Sequence, residues 1–225
     1  ETDQNIFIDL DDTIWNFRTN SKIALEIIYD RYGLSEYYPL FDEYYRVYSE
    51  KNTELWSLYH HNRISKETLI VERFRYPLQR VGAYNDKLVL QLNADYLSVL
   101  SEQGELVPQA RELLDYLKSR SYRLHIISNG FKEVQFKKMK SAGIENYFEK
   151  IILSDEVGVN KPHPDIFRYA LNKTGSSKNT SLMIGDNYDA DILGAMRSGL
   201  DQVYFNPLQK QIPDKFPTYE VTGII

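Results

Sequence analysis

The chain has 225 residues, 42% hydrophobic and 26% charged, an ordinary globular composition that excludes a mostly disordered protein. Asp and Glu total 32 against 27 Lys and Arg, and the resulting net charge of −5 argues against a general binder of nucleic-acid polymers or anionic membranes. The absence of Cys removes disulfides, zinc–thiolate sites and a cysteine nucleophile.

No apolar run approaches the ~18 residues that a membrane span needs. The opening Glu1-Thr-Asp-Gln-Asn5 carries no signal-peptide pattern, so a cytoplasmic setting with no membrane partner is expected. Asn5-Ile-Phe-Ile-Asp9 is an apolar run ending in acid and reads as a buried strand. Residues 19–103 then carry almost no strand signal. Asn20 or Ser21 is positioned to cap a helix through Ile23, Ile27 and Ile28 that stops near Gly33. Tyr38 to His61 is aromatic and charged at helical spacing. Ser65-Lys-Glu-Thr68 opens a helix towards Gly82, and Asn85 to Glu102 forms another, with Leu88, Leu92, Tyr96 and Val99 on one face. After Pro108 the rhythm changes. Helices over Gln109–Ser119, Phe131–Ser141, Pro164–Lys173 and about Ala190–Ser198 alternate with strands Leu124–Ile127, Lys150–Leu153, Ser181–Ile184 and Gln202–Phe205. Alternation of this kind implies a parallel sheet covered on both faces. The expected fold is α/β: a Rossmann-like parallel sheet core over 1–14 and 106–225, interrupted by an all-helical insertion over 15–105.

In such a sheet the ligand crevice lies outside the carboxyl ends of the strands, and four clusters fall there. Asp9-Leu-Asp-Asp-Thr13 places Asp9 and Asp11 two apart. Two carboxylates in one pocket favour a divalent cation or a raised pKa, and an acidic turn capping the strand is the alternative. Ser128-Asn129-Gly130 offers a hydroxyl and backbone N–H groups to an oxyanion, or a plain helix cap. Lys161-Pro-His-Pro164 sets one cation among rigid neighbours, fit to neutralise a phosphoryl group or simply solvated. Gly185-Asp186-Asn-Tyr-Asp-Ala-Asp191 brings Asp186 to a strand end and Asp191 to a helix start. With Asp9 these oxygens suit a hard cation such as Mg²⁺, and a chance Gly-Asp turn is the alternative.

Taken together and in this order, Asp9-Leu-Asp-Asp-Thr13, Ser128-Asn129-Gly130, Lys161-Pro-His-Pro-Asp-Ile-Phe167 and Gly185-Asp186 with Asp191-Ile-Leu-Gly-Ala195 resemble the haloacid dehalogenase superfamily of phosphatases. The resemblance implies that residues 15–105 are the mobile helical cap which that family inserts after its first motif. It implies Asp9 as the nucleophile that becomes an aspartyl-phosphate. Asp11 would be the acid and base, its backbone carbonyl also ligating Mg²⁺. Ser128 and the Asn129 amide would hold phosphoryl oxygens, and Lys161 would screen Asp9 from the phosphate. Asp186 would complete the metal site, with Asp191 as a nearby acid. Family members often carry Gly where this chain has Asp12, a substitution read as neutral. Asp11 favours phosphate-ester hydrolysis over halide displacement. The runs Ile126-Ile-Ser-Asn-Gly-Phe131 and Ser154-Asp-Glu-Val-Gly-Val159 look like the bacterial pyrimidine 5′-nucleotidase group.

The reading is therefore a Mg²⁺-dependent phosphomonoesterase acting on a small phosphorylated substrate, with nucleoside 5′-monophosphates first. A sugar-phosphate or phosphoglycolate phosphatase is the nearest alternative, and a phosphomutase shares the same core. A non-catalytic phosphate-binding module is the alternative from another class, and the presence of both Asp9 and Asp11 speaks against it. Trp15 and Phe17 follow the first motif and either border the substrate or pack the hinge. His125 is expected in the core, His60 and His61 on the surface, and most of the 18 Tyr residues as packing. Oligomeric state is not legible.

Overall fold

The computed structural model describes residues 4–223. The reading of Glu1-Thr-Asp as leaderless lies outside them. The chain divides into two compact units, Glu1–Phe17 with Gly104–Ile225, and Arg18–Gln103.

The first unit is built on a six-stranded sheet. Its strands are β1 (Asn5–Ile8), β2 (Arg123–Ser128), β3 (Lys150–Leu153), β4 (Ser181–Gly185), β5 (Asp201–Phe205) and β6 (Tyr219–Val221), in spatial order β3-β2-β1-β4-β5-β6. Every pairing is parallel. This is the α/β core expected from the alternating runs. The central strands are mostly buried and apolar at their centres, as a sheet covered on both faces requires. Helices α5 (Ala110–Ser119), α6 (Lys132–Ser141), α8 (Pro164–Thr174) and α9 (Gly194–Arg197) lie between strands, with a short α7 (Ser154–Val157) directly after β3. Phe7, Ile127, Ile152, Phe167, Met183 and Leu200 form part of one packed core. The expected helix around Ala190 begins instead as a π-helical turn over Tyr188–Leu193, and β6 was not expected.

Register explains why distant motifs meet. Ile8 pairs with Ile126 on one side and Ile184 on the other. The next residue of each strand is thus Asp9, Ile127 and Gly185, at the same edge. The chain also reverses its direction of strand addition between β1 and β4, the switch point where open α/β sheets bind ligands.

The chain leaves and re-enters this unit side by side. The Val107 N–H donates to Ile14 O (2.8 Å) and the Asn16 N–H to Glu105 O (3.0 Å).

The second unit is all helical: α1 (Phe17–Arg31, whose first residue belongs to the core unit), α2 (Phe41–His60), α3 (Lys66–Arg80) and α4 (Asp86–Ser101). Ser65 and Asn85 cap α3 and α4 by accepting from the Thr68 and Leu88 N–H groups. Helix α1 departs from the sequence reading. It starts at Phe17, and Asn20 and Ser21 are buried within it, while Ile23 and Ile27 face outward. The Ser21 hydroxyl is paired with the Tyr96 hydroxyl at 2.9 Å, so it serves a tertiary contact rather than a cap. Tyr29, Tyr38, Tyr44, Tyr48 and Tyr96 are all buried, and Tyr48 packs against Phe74 with ring centroids 5.0 Å apart and planes tilted at 46°. His61 is exposed, and His60 is half-buried beside Trp56. No helix among the described residues is long and apolar enough to cross a membrane.

His125 is fully buried on β2. Its Nε2–H donates to Asn5 Oδ1 at 3.4 Å, and Nδ1 is buried with no partner among the described residues. Burial, with Arg123 nearby, lowers its pKa from 6.5 to about 4. Between those values the unfolded chain takes up a proton that the folded chain refuses, so stability falls as pH falls through this window. His125→Leu is expected to flatten that slope, read as urea-unfolding free energy at about pH 7 and about pH 5. An unchanged slope would exclude His125 as its source.

Candidate active site

Asp9 directly follows β1, its N–H still donating to Ile184 O at 2.9 Å in the β4 direction. The chain then turns sharply, with the Ile14 and Trp15 N–H groups both donating to Leu10 O. Asp12 takes up the strain of that turn at φ 60°, a left-handed conformation open to Gly and, among other residues, mainly to Asn and Asp. This accounts for acid and Gly being alternatives there. Thr13 is buried and joins this loop to the β4 loop. Its hydroxyl accepts from the Asp186 N–H (3.1 Å) and donates to Asp186 Oδ1 (3.2 Å).

Lys161, 2% exposed, lies at the centre of the site. Its ammonium donates to Asp9 Oδ1 (2.5 Å), Asp191 Oδ1 (2.6 Å) and Ile127 O (2.8 Å), using all three hydrogens. Its backbone is clamped by the Asn129 side chain, whose Nδ2 donates to Lys161 O (2.9 Å) and whose Oδ1 accepts from the Lys161 N–H (2.8 Å). The Asn129 side chain is thereby tied to the Lys161 backbone.

The carboxylates of Asp9, Asp186 and Asp191 each offer an oxygen, all within 4.8 Å of one another. Asp191 reaches this point from the π-helical turn, its Oδ2 accepting from the Asn187 N–H. Its carboxylate passes so close to Gly185 that a Cβ there would lie 2.3 Å from Oδ2, so the Gly of the Gly-Asp pair is a steric requirement. Burial pushes the Asp9 carboxyl up to about 7, with Lys161 pulling it down and Asp191 and Asp11 adding to the rise. Asp186 is raised well above the ordinary carboxylate range by desolvation, then by Asp9, Asp191 and Asp12. Burial alone would lower Lys161, and Asp191 and Asp9 outweigh it to hold the ammonium charged. Three clustered acids are therefore accompanied by one buried ammonium, which pairs with Asp9 and Asp191. That surplus of negative charge and the all-oxygen donor set fit a divalent ion.

Asp11 is not in that trio. Its carboxylate turns to α6, where Lys138 Nζ donates to Oδ1 (2.8 Å) and Gln135 Nε2 donates to Oδ2 (2.9 Å). Gln135 Nε2 also donates to Ser128 Oγ (2.7 Å), as does the Gly130 N–H (3.1 Å). Trp15 is fully buried with the Lys138 ammonium 4.5 Å from its ring centroid, and half-buried Phe17 has the same ammonium at 5.5 Å.

The structure thus brings Asp9, Lys161, Asp186 and Asp191 into direct proximity, with Asn129 bound to Lys161 and Ser128 linked to Asp11 through Gln135. Sequence reading missed Thr13, Gln135 and Lys138. On α6 the residues turned inward are Val134, Gln135, Lys138 and Met139, whereas Phe136 is exposed, an arrangement that the helix's sequence pattern does not announce. An amide and an ammonium thus lie on the buried face of this helix.

The sequence from residue 4 to residue 199 matches the family model of the haloacid dehalogenase-like hydrolases. The chain belongs to that family, and it is a hydrolase. Among similar proteins is pyrimidine 5′-nucleotidase YjjG of Escherichia coli (strain K12), 30% identical over 221 residues, covering 97% of this chain and 93% of that one. A glyceraldehyde 3-phosphate phosphatase of Methanothermobacter thermautotrophicus is 32% identical over 209 residues, 89% of this chain and 84% of that one. The crystal structure of the HAD-hydrolase YfnB of Bacillus subtilis, bound to magnesium and described as revealing interdomain movement, superposes with a TM-score of 0.90 at 27% identity. It covers 100% of this chain and 96% of that one.

Proposed function

We propose that this hydrolase is a Mg²⁺-dependent phosphomonoesterase that works through an aspartyl-phosphate on Asp9 and prefers nucleoside 5′-monophosphates, pyrimidine ones first. The observation that carries the chemistry is the Asp9 carboxylate at a strand end, beside buried Lys161 and two further acids. In this reading an Asp9 oxygen attacks phosphorus and the bond to the leaving oxygen breaks, with Asp11 giving that oxygen a proton. Asp11 then takes a proton from the water that attacks phosphorus, the Asp9–phosphorus bond breaks, and inorganic phosphate leaves. Ser128 supports the transferring group: two N–H donors fill its lone pairs, so its hydroxyl hydrogen is left to donate to a phosphoryl oxygen. The backbone N–H of Asn129 is the second donor.

Asp9, Asp186 and the Asp11 carbonyl would hold the cation, with Asp191 bracing Lys161 and the loop. When bound, Mg²⁺ offsets the repulsion between the carboxylate and the anionic phosphoryl group.

The helical unit, with its Tyr-rich interior, is assigned the role of a cap that selects the leaving group. The nucleotide preference rests on the likeness to YjjG and on Phe17, half-buried at the start of α1. A second reading, a triose-phosphate phosphatase, is favoured by the 32% identity to the glyceraldehyde 3-phosphate enzyme.

The test is phosphate release with Mg²⁺ and with chelator, over UMP, dTMP, AMP, a hexose phosphate, phosphoglycolate and glyceraldehyde 3-phosphate. UMP or dTMP is expected to give the highest kcat/KM, and chelator is expected to abolish release. A sugar phosphate or phosphoglycolate exceeding every nucleotide tenfold, about 1.4 kcal/mol in transition-state binding, removes the nucleotidase reading and leaves the phosphatase. Full activity in chelator removes the metal.

A further inference from the structure

We propose that Gln135 and Lys138 of α6 are positioning residues for the acid–base step, holding the Asp11 carboxylate at both oxygens and tying it to Ser128. The inference deepens the phosphomonoesterase reading and rests on it.

The geometry is specific. Lys138 is 4% exposed, and Asp11 is the acid it pairs with, at 2.8 Å. On its other side the ammonium meets the aromatic rings of Trp15 and Phe17, which attract a cation through their faces without competing for it as an acid would. Gln135 is fully buried, and both hydrogens of its Nε2 are used, one on Asp11 Oδ2 and one on Ser128 Oγ. While Asp11 is ionised, turning the amide over would set its carbonyl oxygen against a carboxylate, which favours this orientation. Gly130 makes room for this amide, since a Cβ there would lie 2.1 Å from Nε2. Residues three apart on a helix share a face, so one rigid element grips one carboxylate twice. Each Asp11 oxygen accepts one of these bonds and retains a lone pair on which a proton can travel. The same amide fills one Ser128 lone pair, so this side chain links the phosphoryl contact to the proton-transfer group.

A group that aims a general acid matters only where the leaving oxygen needs a proton. p-Nitrophenyl phosphate expels a phenolate stable enough to leave unprotonated. p-Nitrobenzyl phosphate, one methylene longer, expels an alkoxide that is not. The value of kcat/KM reports steps through leaving-group departure, so it isolates this event from later hydrolysis of the aspartyl-phosphate. General acid–base catalysis is worth roughly 10²–10⁴-fold, and loss of aim should forfeit part of it. Lys138→Met, which keeps the apolar stem under Trp15, is expected to lower kcat/KM about 50-fold on the benzyl ester and less than about 5-fold on the phenyl ester. Gln135→Met is expected to show the same asymmetry and serves if Lys138→Met does not fold, as judged by thermal unfolding. Equal losses on both esters, no loss on either, or failure of both variants to fold would each overturn the proposal and assign the pair to packing. If the unaltered chain hydrolyses neither ester, the phosphomonoesterase reading itself fails, a result distinct from the others.

Discussion

Asp9→Asn is expected to lower kcat by about a thousandfold or more, because the carboxylate proposed to form the covalent bond is gone and an amide is a poor nucleophile. The protein should remain folded. In the native site burial and the neighbouring acids push Asp9 up to about 7, so its charge is unfavourable there on balance, even with Lys161 beside it. An uncharged group of the same shape relieves that cost, and Lys161 keeps Asp191 as a partner at 2.6 Å. A melting temperature at or above that of the unaltered chain is therefore expected together with the loss of turnover. Retained turnover in the folded variant removes Asp9 as the nucleophile.

The second large effect is on stability. Lys161→Met deletes the ammonium that lies between Asp9 and Asp191 and also donates to Ile127 O. Two buried carboxylates are then left facing each other with nothing between them. Removing one member of a buried charge network typically costs about 3–5 kcal/mol. Urea unfolding should show a loss of that order, and phosphate release should fall with it. Adding Asp191→Asn to Lys161→Met removes one of the stranded charges, so the double variant is expected to recover part of the stability. A single variant less than about 1 kcal/mol below the unaltered chain would mean that the acids are neutralised by other means.

The strand-end clusters were legible because a buried parallel strand reads as an apolar run, and the first polar residue after it marks the ligand edge. Asp9, Ser128 and Asp186 were found that way, and the register of β1 against β2 and β4 brings those edges together. Ser65 and Asn85 were legible because a cap is a local bond within one turn of the chain. What was not legible depends on partners distant in sequence. Ser21 looks like a cap and is instead bonded to Tyr96, 75 residues away. The β6 strand, Tyr219–Val221, is short and partly exposed, and only its pairing with β5 makes it a strand. Gln135 and Lys138 lie 124 and 127 residues from the Asp11 carboxylate that explains their burial. The resemblance to a family supplied the roles of the four motifs but carried no information about those two residues.

The central claim is a covalent bond between Asp9 and phosphorus, and it can be read chemically. The chain is mixed with Mg²⁺ and UMP, or with p-nitrophenyl phosphate if UMP proves a poor substrate, and quenched during turnover with borohydride, which reduces an aspartyl-phosphate to homoserine. Peptide mass spectrometry then locates the reduced residue. Homoserine at position 9, dependent on substrate and absent from Asp9→Asn, is the predicted result. Homoserine at Asp186, Asp191 or Asp11 instead, or none at any residue during active turnover, would contradict the account.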